Sequence, residues 1–425
     1  MELINKLFKF QNSTQHQVSE ESYRILFQLH TKLSNTQTIK PKIICLRNID
    51  EIVRLRNYRS IQPEFRLRIE SWNVRRKVFA FTLHSGRNVK IHFIFNIDDL
   101  SFNFIEMYEK MFIWLSFLDS HSKLECSRTI NVYIFLTDFP KFIPSTVGDE
   151  LDKVNVNTAF TYSCRQRNEI FIYRKEELLK VFIHETFHSF GLDFSDCNQE
   201  YANLIIKNKF TAIGNKEDYN IYESYCETWA QLINILVVTS YINRNIEYTE
   251  WKTVINKLLF YEIRWSIFQL SKILWHYGFE YKELFKKNNI VYCESKTSVF
   301  SYFFLRAIAM VNLDKFLKWS NSNNHNIVYF KNTNANISSY CNFLCNNSQN
   351  SFLTRSLNTT RHYLSSLNIY DVNVLSKLLS PEWTRRNFLL HSAYSPIPKN
   401  FSETHVPWWT NERAAIKTLR MSFFG

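Results

Sequence analysis

Glycine is scarce in this chain: six occur in 425 residues, beside eight prolines. There is no P-loop, no dinucleotide-binding fingerprint and no internal repeat, which removes the usual nucleotide-cradling classes. Long apolar runs are missing too. The longest, around Ile235 to Val238, is far too short to span a bilayer. Met1 to Phe10 interrupts its apolar residues with charges where a signal peptide would run unbroken. The expectation is a cytoplasmic, non-secreted protein with no membrane span. The eight cysteines, at 45, 126, 164, 197, 226, 293, 341 and 345, include no Cys-x-x-Cys pair and join no Cys/His cluster. They read as reduced thiols in a cytosol-like compartment.

What is present is an ordinary globular balance, 45% hydrophobic and 21% charged. Its length allows roughly two or three domains. Asn, Lys, Ile, Phe and Tyr are in surplus, a bias that AT-rich codons produce. Lys and Arg outnumber Asp and Glu by 52 to 39, a net charge of +13. That balance favours nucleic acid or acidic partners, but the lysine bias alone also yields it, and no run of five or six like charges marks a basic tail.

Along the chain, the periodicity predicts a helix over Glu20–Leu33 and a strand over Lys42–Leu46 in an N-terminal α/β segment, residues 1–72. Two β-rich runs, Lys77–Leu83 and Val89–Phe95, flank Gly86 as a hairpin. A helix over Phe102–Leu118 and a strand over Ile130–Leu136 follow. Asn157–Tyr162 and Asn168–Tyr173 are strand-like and lead into a helix with Glu176 and Glu177 in its first turn and Gly191 at its exit. Residues 192–219 read as loop, and a helix begins at Ile221. These make a central unit of residues 73–245. From 246 to 425 helical spacing dominates, over Trp251–Tyr261, Ile267–Tyr277, Val299–Trp319 and Tyr370–Leu379, with an Asn/Ser-rich loop between 320 and 352.

The central helix carries His184-Glu185-Thr186-Phe187-His188. Histidines four apart share one helical face, so their imidazoles can grip one ion from the same side. Glu185 is turned by about 100° and reaches a water beside the ion rather than the ion itself. The alternative is a coincidental polar face. Its neighbours Val181-Phe182-Ile183, Thr186 and Phe187 are uncharged, which argues for a buried zinc site.

Two histidines under-hold zinc, so a third ligand is expected. Three residues later than Gly191 stands Phe194, which cannot coordinate. Asp193, one position earlier, is one alternative. A glutamate on the following helix is another, and Glu223 suits it, with Glu200 and Glu217 as outside candidates. Here the chain resembles the gluzincins, HExxH metallopeptidases whose third ligand is a downstream helical Glu, with an acidic residue four positions later behind a zinc histidine. That likeness implies Glu223 as the ligand and Glu227 as the residue that fixes a histidine tautomer. Tyr219, Tyr222 and Tyr225 lie near enough in sequence to be oxyanion donors.

The likeness also implies a fold: an α+β, zincin-like core with a twisted mixed sheet over the HExxH helix, Asn157–Tyr162 as its open edge, and a mainly helical C-terminal region. The run Thr158–Ser195 looks like metalloproteases predicted in large nucleocytoplasmic DNA viruses, which would put the protein in the host cytoplasm or the virion. The expected activity is zinc-dependent hydrolysis of peptide or protein substrates with one Zn2+ and Glu185 as general base. The alternative is an inactive structural or interaction protein on the same fold, virion-associated or binding nucleic acid through its basic surface.

Overall fold

Alternation along the strands decides which side of the sheet each helix covers. The computed structural model describes residues 18–36, 39–97, 102–144, 146–212, 219–287, 295, 297–366 and 418–424. Short helical turns aside, the first half runs α1 (Glu20–Ser34), β1 (Lys42–Leu46), α2 (Pro63–Glu70), β2 (Val74–Thr82), β3 (Asn88–Asn96), α3 (Phe104–His121), β4 (Thr129–Phe135), β5 (Ala159–Thr161) and β6 (Arg167–Ile172). The second half is helical: α4 (Leu178–Ser189), α5 (Glu200–Lys209), α6 (Ile221–Ile242), α7 (Tyr248–His276), a π-helical stretch (Phe300–Leu305), α8 (Arg306–Val311), α9 (Leu313–Asn323), α10 (Asn334–Asn347) and α11 (Ser351–Ser366).

The six strands form one mixed sheet in the order β1-β2-β3-β4-β6-β5. The hairpin about Gly86 is antiparallel, β4 lies parallel to both β3 and β6, and β5 returns antiparallel as the edge. Val132, Ile134, Ile170 and Ile172 face the main helical core, while their neighbours Tyr133, Phe135 and Phe171 face Phe65 and Ile69 of α2. Both faces are therefore covered, as the nearly unbroken apolar runs of β4 and β6 require. The α+β class and mixed sheet agree with the sequence reading. Among the described residues no helix is long and apolar enough to cross a membrane.

Several expectations need correction. Residues 192–219 contain α5, and the Asn/Ser-rich stretch contains α10, where Thr333 caps the helix and Ile337, Tyr340, Cys341 and Leu344 form a buried face. Polar composition hid an amphipathic helix in each. The two helices expected over 251–277 are one 29-residue helix. The run over Val299–Trp319 is divided into the π stretch, α8 and α9, with the break at Asn312. Tyr370–Leu379 lies outside the described residues. Glu176 and Glu177 immediately precede the helix rather than occupying its first turn: Glu177 is the N-cap residue, has φ 58° and ion-pairs with buried Lys141 at 2.6 Å, and Glu176 accepts the Lys141 N–H at 2.7 Å.

The cysteines are not all reduced. Cys126 and Cys164 form a disulfide, while Cys45, Cys197, Cys226, Cys341 and Cys345 are free and Cys293 lies outside the described residues. No spacing motif announces this bond. It follows from strand register: Thr129 pairs with Arg167, so the residues three positions upstream meet as well, their Cα atoms 4.6 Å apart.

Candidate metal centre

Every residue of α4 is buried, because the helix is enclosed by β5 and β6, α3 and α6. Its exit depends on Gly191, at φ +65°, where an added Cβ would stand 3.2 Å from both Cys126 Sγ and Cys164 Cβ. A side chain there would be strained in backbone and in contact at once.

Within α4, His184 and His188 present Nε2 atoms 3.1 Å apart. Across from them α6 delivers Glu223, whose Oε2 lies 3.1 Å from His184 Nε2 and 3.5 Å from His188 Nε2. Ligands about 2.0–2.1 Å from a tetrahedral ion are separated by about 3.3 Å, so the three atoms stand at coordinating distances from one another. Glu223 Oε2 is also buried with no donor meeting it in hydrogen-bonding geometry. A buried carboxylate oxygen left this way needs a cation or a proton donor. These three residues could hold a metal ion.

Behind each imidazole stands a second carboxylate. Glu227 Oε1 lies 3.0 Å from His184 Nδ1, a contact whose angle falls short of a hydrogen bond, and its other oxygen ion-pairs with Lys180. Asp193 contacts His188 Nδ1 through Oδ2, and its Oδ1 accepts from the Ser195 N–H at 3.1 Å and hydroxyl at 2.7 Å. The sequence offered Asp193 as a ligand. It sits at the ring nitrogen opposite the one that meets Glu223, and with His188 and Cys226 it makes a second trio close enough for an ion. Cys226 donates its thiol to Asp193 Oδ2 at 3.3 Å.

The charges are mutually adjusted. Burial disfavours charge on His184, yet Glu227 and Glu223 overcome it and hold the ring at about 9. His188 is raised well above its ordinary value, Asp193, Glu223 and the Cys226 sulfur outweighing burial. Burial would lift Glu223, but His188 and His184 pull it down to about 2. Glu185 is raised, because burial outweighs the two histidines. A carboxyl moved up in this way is a stronger base than a solvated one.

A cavity of about 30 Å³, room for roughly one water, is lined by His184, Glu185, Glu227, Lys180, Tyr302 and Met421 among others. Tyr302, from the π-helical stretch, has its ring centroid 6.3 Å from that of His184. Sequence reasoning missed it; its only signal is one aromatic among several in Phe300–Phe304. Tyr222 meets the His188 ring edge-on at 5.7 Å. Tyr225, by contrast, points away: two positions beyond Glu223 it is turned by about 200°, and its hydroxyl donates to Val328 O at 2.9 Å. Tyr219 packs its ring on Phe300. Phe194 is fully buried against Phe330. Glu200 is exposed at the start of α5, and Glu217 lies outside the described residues. A larger cleft of about 210 Å³, between Asn57, Arg165, Arg167 and Glu169, contains none of these groups.

No protein-family model, curated protein or solved structure matches this chain, and the reading of the centre stands on its own geometry.

Proposed function

We propose that the protein is a zinc-dependent peptidase, with His184, His188 and Glu223 as ligands and Glu185 as general base. The observation that carries this reading is the convergence of two imidazole nitrogens and one carboxylate oxygen at mutual distances of 3.1 to 3.5 Å, with Glu185 beside His184 in the wall of the adjoining cavity. A bound zinc ion supplies Lewis acidity and lowers the pKa of a water molecule. Glu185 takes the proton of the attacking water and returns it to the leaving amine. Glu227 and Asp193 keep the Nδ1 atoms engaged, so that both Nε2 lone pairs face the ligand position. Tyr302 stands at the cavity wall as a donor for the developing oxyanion, with Tyr222 at the far side of His188. The edge strand β5 offers its free side to an extended peptide.

A second reading draws on one specific observation, the small size of the cavity, which at about 30 Å³ has room for a water but not for a peptide group. In that reading the chain is an inactive binding or scaffold protein. Metal analysis of the wild type and of Glu185→Gln separates the two. Equal metal in both, with hydrolysis of a denatured protein substrate lost by about 10²–10⁴-fold in the variant, supports the peptidase. Equal metal with no hydrolysis in either supports the scaffold, and a wild type without metal overturns both.

A further inference from the structure

A peptide main chain lies buried beside the metal centre. Thr418–Phe424 joins Phe142 by a single antiparallel bridge and otherwise belongs to no sheet or helix, yet Thr418 through Phe423 are each at most 5% exposed. Side chains satisfy its backbone. Ser422 donates its N–H to Glu177 at 2.5 Å, and Phe423 and Phe424 donate theirs to the two oxygens of Glu262 at 3.0 and 3.1 Å. The Met421 carbonyl accepts from Gln231 and Arg306, the Arg420 carbonyl from Trp265 at 3.1 Å, and the Thr418 carbonyl from Lys272. Met421 then reaches the centre, lining the same cavity as His184 and Glu185.

Two features set this apart from ordinary core packing. A permanent interior is stabilised by apolar side chains, whereas burying groups such as Glu262 and Lys272 carries a desolvation cost. Moreover, most of the contacts address the main chain, which every polypeptide shares; that is how peptide-binding grooves combine affinity with tolerance of sequence.

We propose that these side chains, drawn from α6, α7, α8 and the residue preceding α4, form a channel that binds an extended peptide through its backbone, and that Thr418–Phe424 is the occupant it holds in cis. A polypeptide entering in trans displaces this segment and lies with its chain next to His184 and Glu185. The proposal deepens the peptidase reading by naming the form of the substrate, an extended peptide held by its main chain. Its test reads binding and exchange rather than turnover, so the two can fail separately.

The probe is a fluorescent hexapeptide of the sequence Leu-Arg-Met-Ser-Phe-Phe, matching residues 419–424, added to the full-length chain. Ser422→Pro removes the N–H given to Glu177 and loosens the segment in cis. That variant is expected to bind the probe at least tenfold more tightly than the unaltered chain, and adding Glu262→Gln is expected to reverse the gain. In the unaltered chain, hydrogen exchange at the amides of Ser422, Phe423 and Phe424 is expected to run at least tenfold faster than at Ile233–Leu236 in α6, because the segment opens without global unfolding. A folded Ser422→Pro chain that binds no probe overturns the proposal. So does exchange in the segment at the α6 rate, a measurement that decides the matter alone where Ser422→Pro does not fold.

Discussion

Glu227 stands 3.0 Å behind His184, Oε1 against Nδ1, and its second oxygen is held by Lys180 from one turn earlier on the same helix. The carboxylate thus ties the histidine to a buried cation and limits how the ring can turn. Glu227→Gln keeps the volume and removes the charge, and is expected to weaken metal binding by about 10–100-fold in competition with a chromophoric chelator. Lys180→Met leaves Glu227 buried beside fewer cations and is expected to lower stability by about 3–5 kcal/mol in urea titration.

Glu223 and Asp193 approach His188 from opposite ring nitrogens, and removing each separates ligand from support. Glu223→Ala is expected to abolish stoichiometric metal in the purified protein. Asp193→Asn is expected to retain the ion with affinity reduced by about 10–100-fold. The reverse pattern would move the ion to the trio of His188, Asp193 and Cys226.

Proton release should accompany metal uptake. Metal-free His184 is held at about 9, burial opposing its charge and Glu227 and Glu223 overcoming it, and His188 is raised likewise. With its value near 9, His184 is protonated at neutral pH and must lose a proton to bind an ion, so calorimetry in buffers of different ionisation enthalpy should register at least about one proton released. The same shifts stabilise the metal-free fold. Because the folded-state value of His184 lies above the ordinary 6.5, its contribution is complete below about 6.5 and lost as pH rises through about 9. The melting temperature of the metal-free protein should fall across that window, while that of the metal-loaded protein should not.

The exit of α4 is sensitive to a single methyl group. Gly191→Ala places a Cβ in left-handed backbone and 3.2 Å from Cys126 Sγ and Cys164 Cβ, and is expected to cost at least about 1–2 kcal/mol by thermal melting. Replacing both bonded cysteines by alanine opens a loop with a sequence separation of 38 and is expected to cost about 4 kcal/mol. In that double-alanine background the Sγ contacts are gone while the Cβ of residue 164 stays, so the Gly191→Ala penalty should shrink only in part.

Much of this was legible in the sequence where the signal was periodic. The hairpin about Gly86 and the helix from Ile221 follow from alternation or helical spacing, which the packing reinforces, and the strand Lys42–Leu46 forms as expected although most of it is exposed. The offset of four between His184 and His188, and again between Glu223 and Glu227, made the constellation readable because helix geometry turns sequence offsets into faces. What the sequence hid were relations across the chain. The Cys126–Cys164 bond depends on the register of two parallel strands. Tyr302 reaches the cavity from more than a hundred residues away in sequence, and α5 and α10 are amphipathic helices behind polar composition. Glu176 and Glu177 do stand at a helix start, but their carboxylates are committed to buried Lys141, a partner that their sequence position does not reveal.

The π-helical stretch Phe300–Leu305 has a bearing on how this chain tolerates insertion and deletion. A π turn accommodates one residue more than an α turn, so it takes up an extra residue without shifting the helix on either side. Deleting one residue between Phe300 and Leu305 should restore α geometry and leave α8 in register, so that only side chains within the stretch change direction. Arg306 would then keep its place on the Met421 carbonyl, whereas Tyr302 would leave the cavity wall. Length, as much as residue identity, is what this stretch has to preserve.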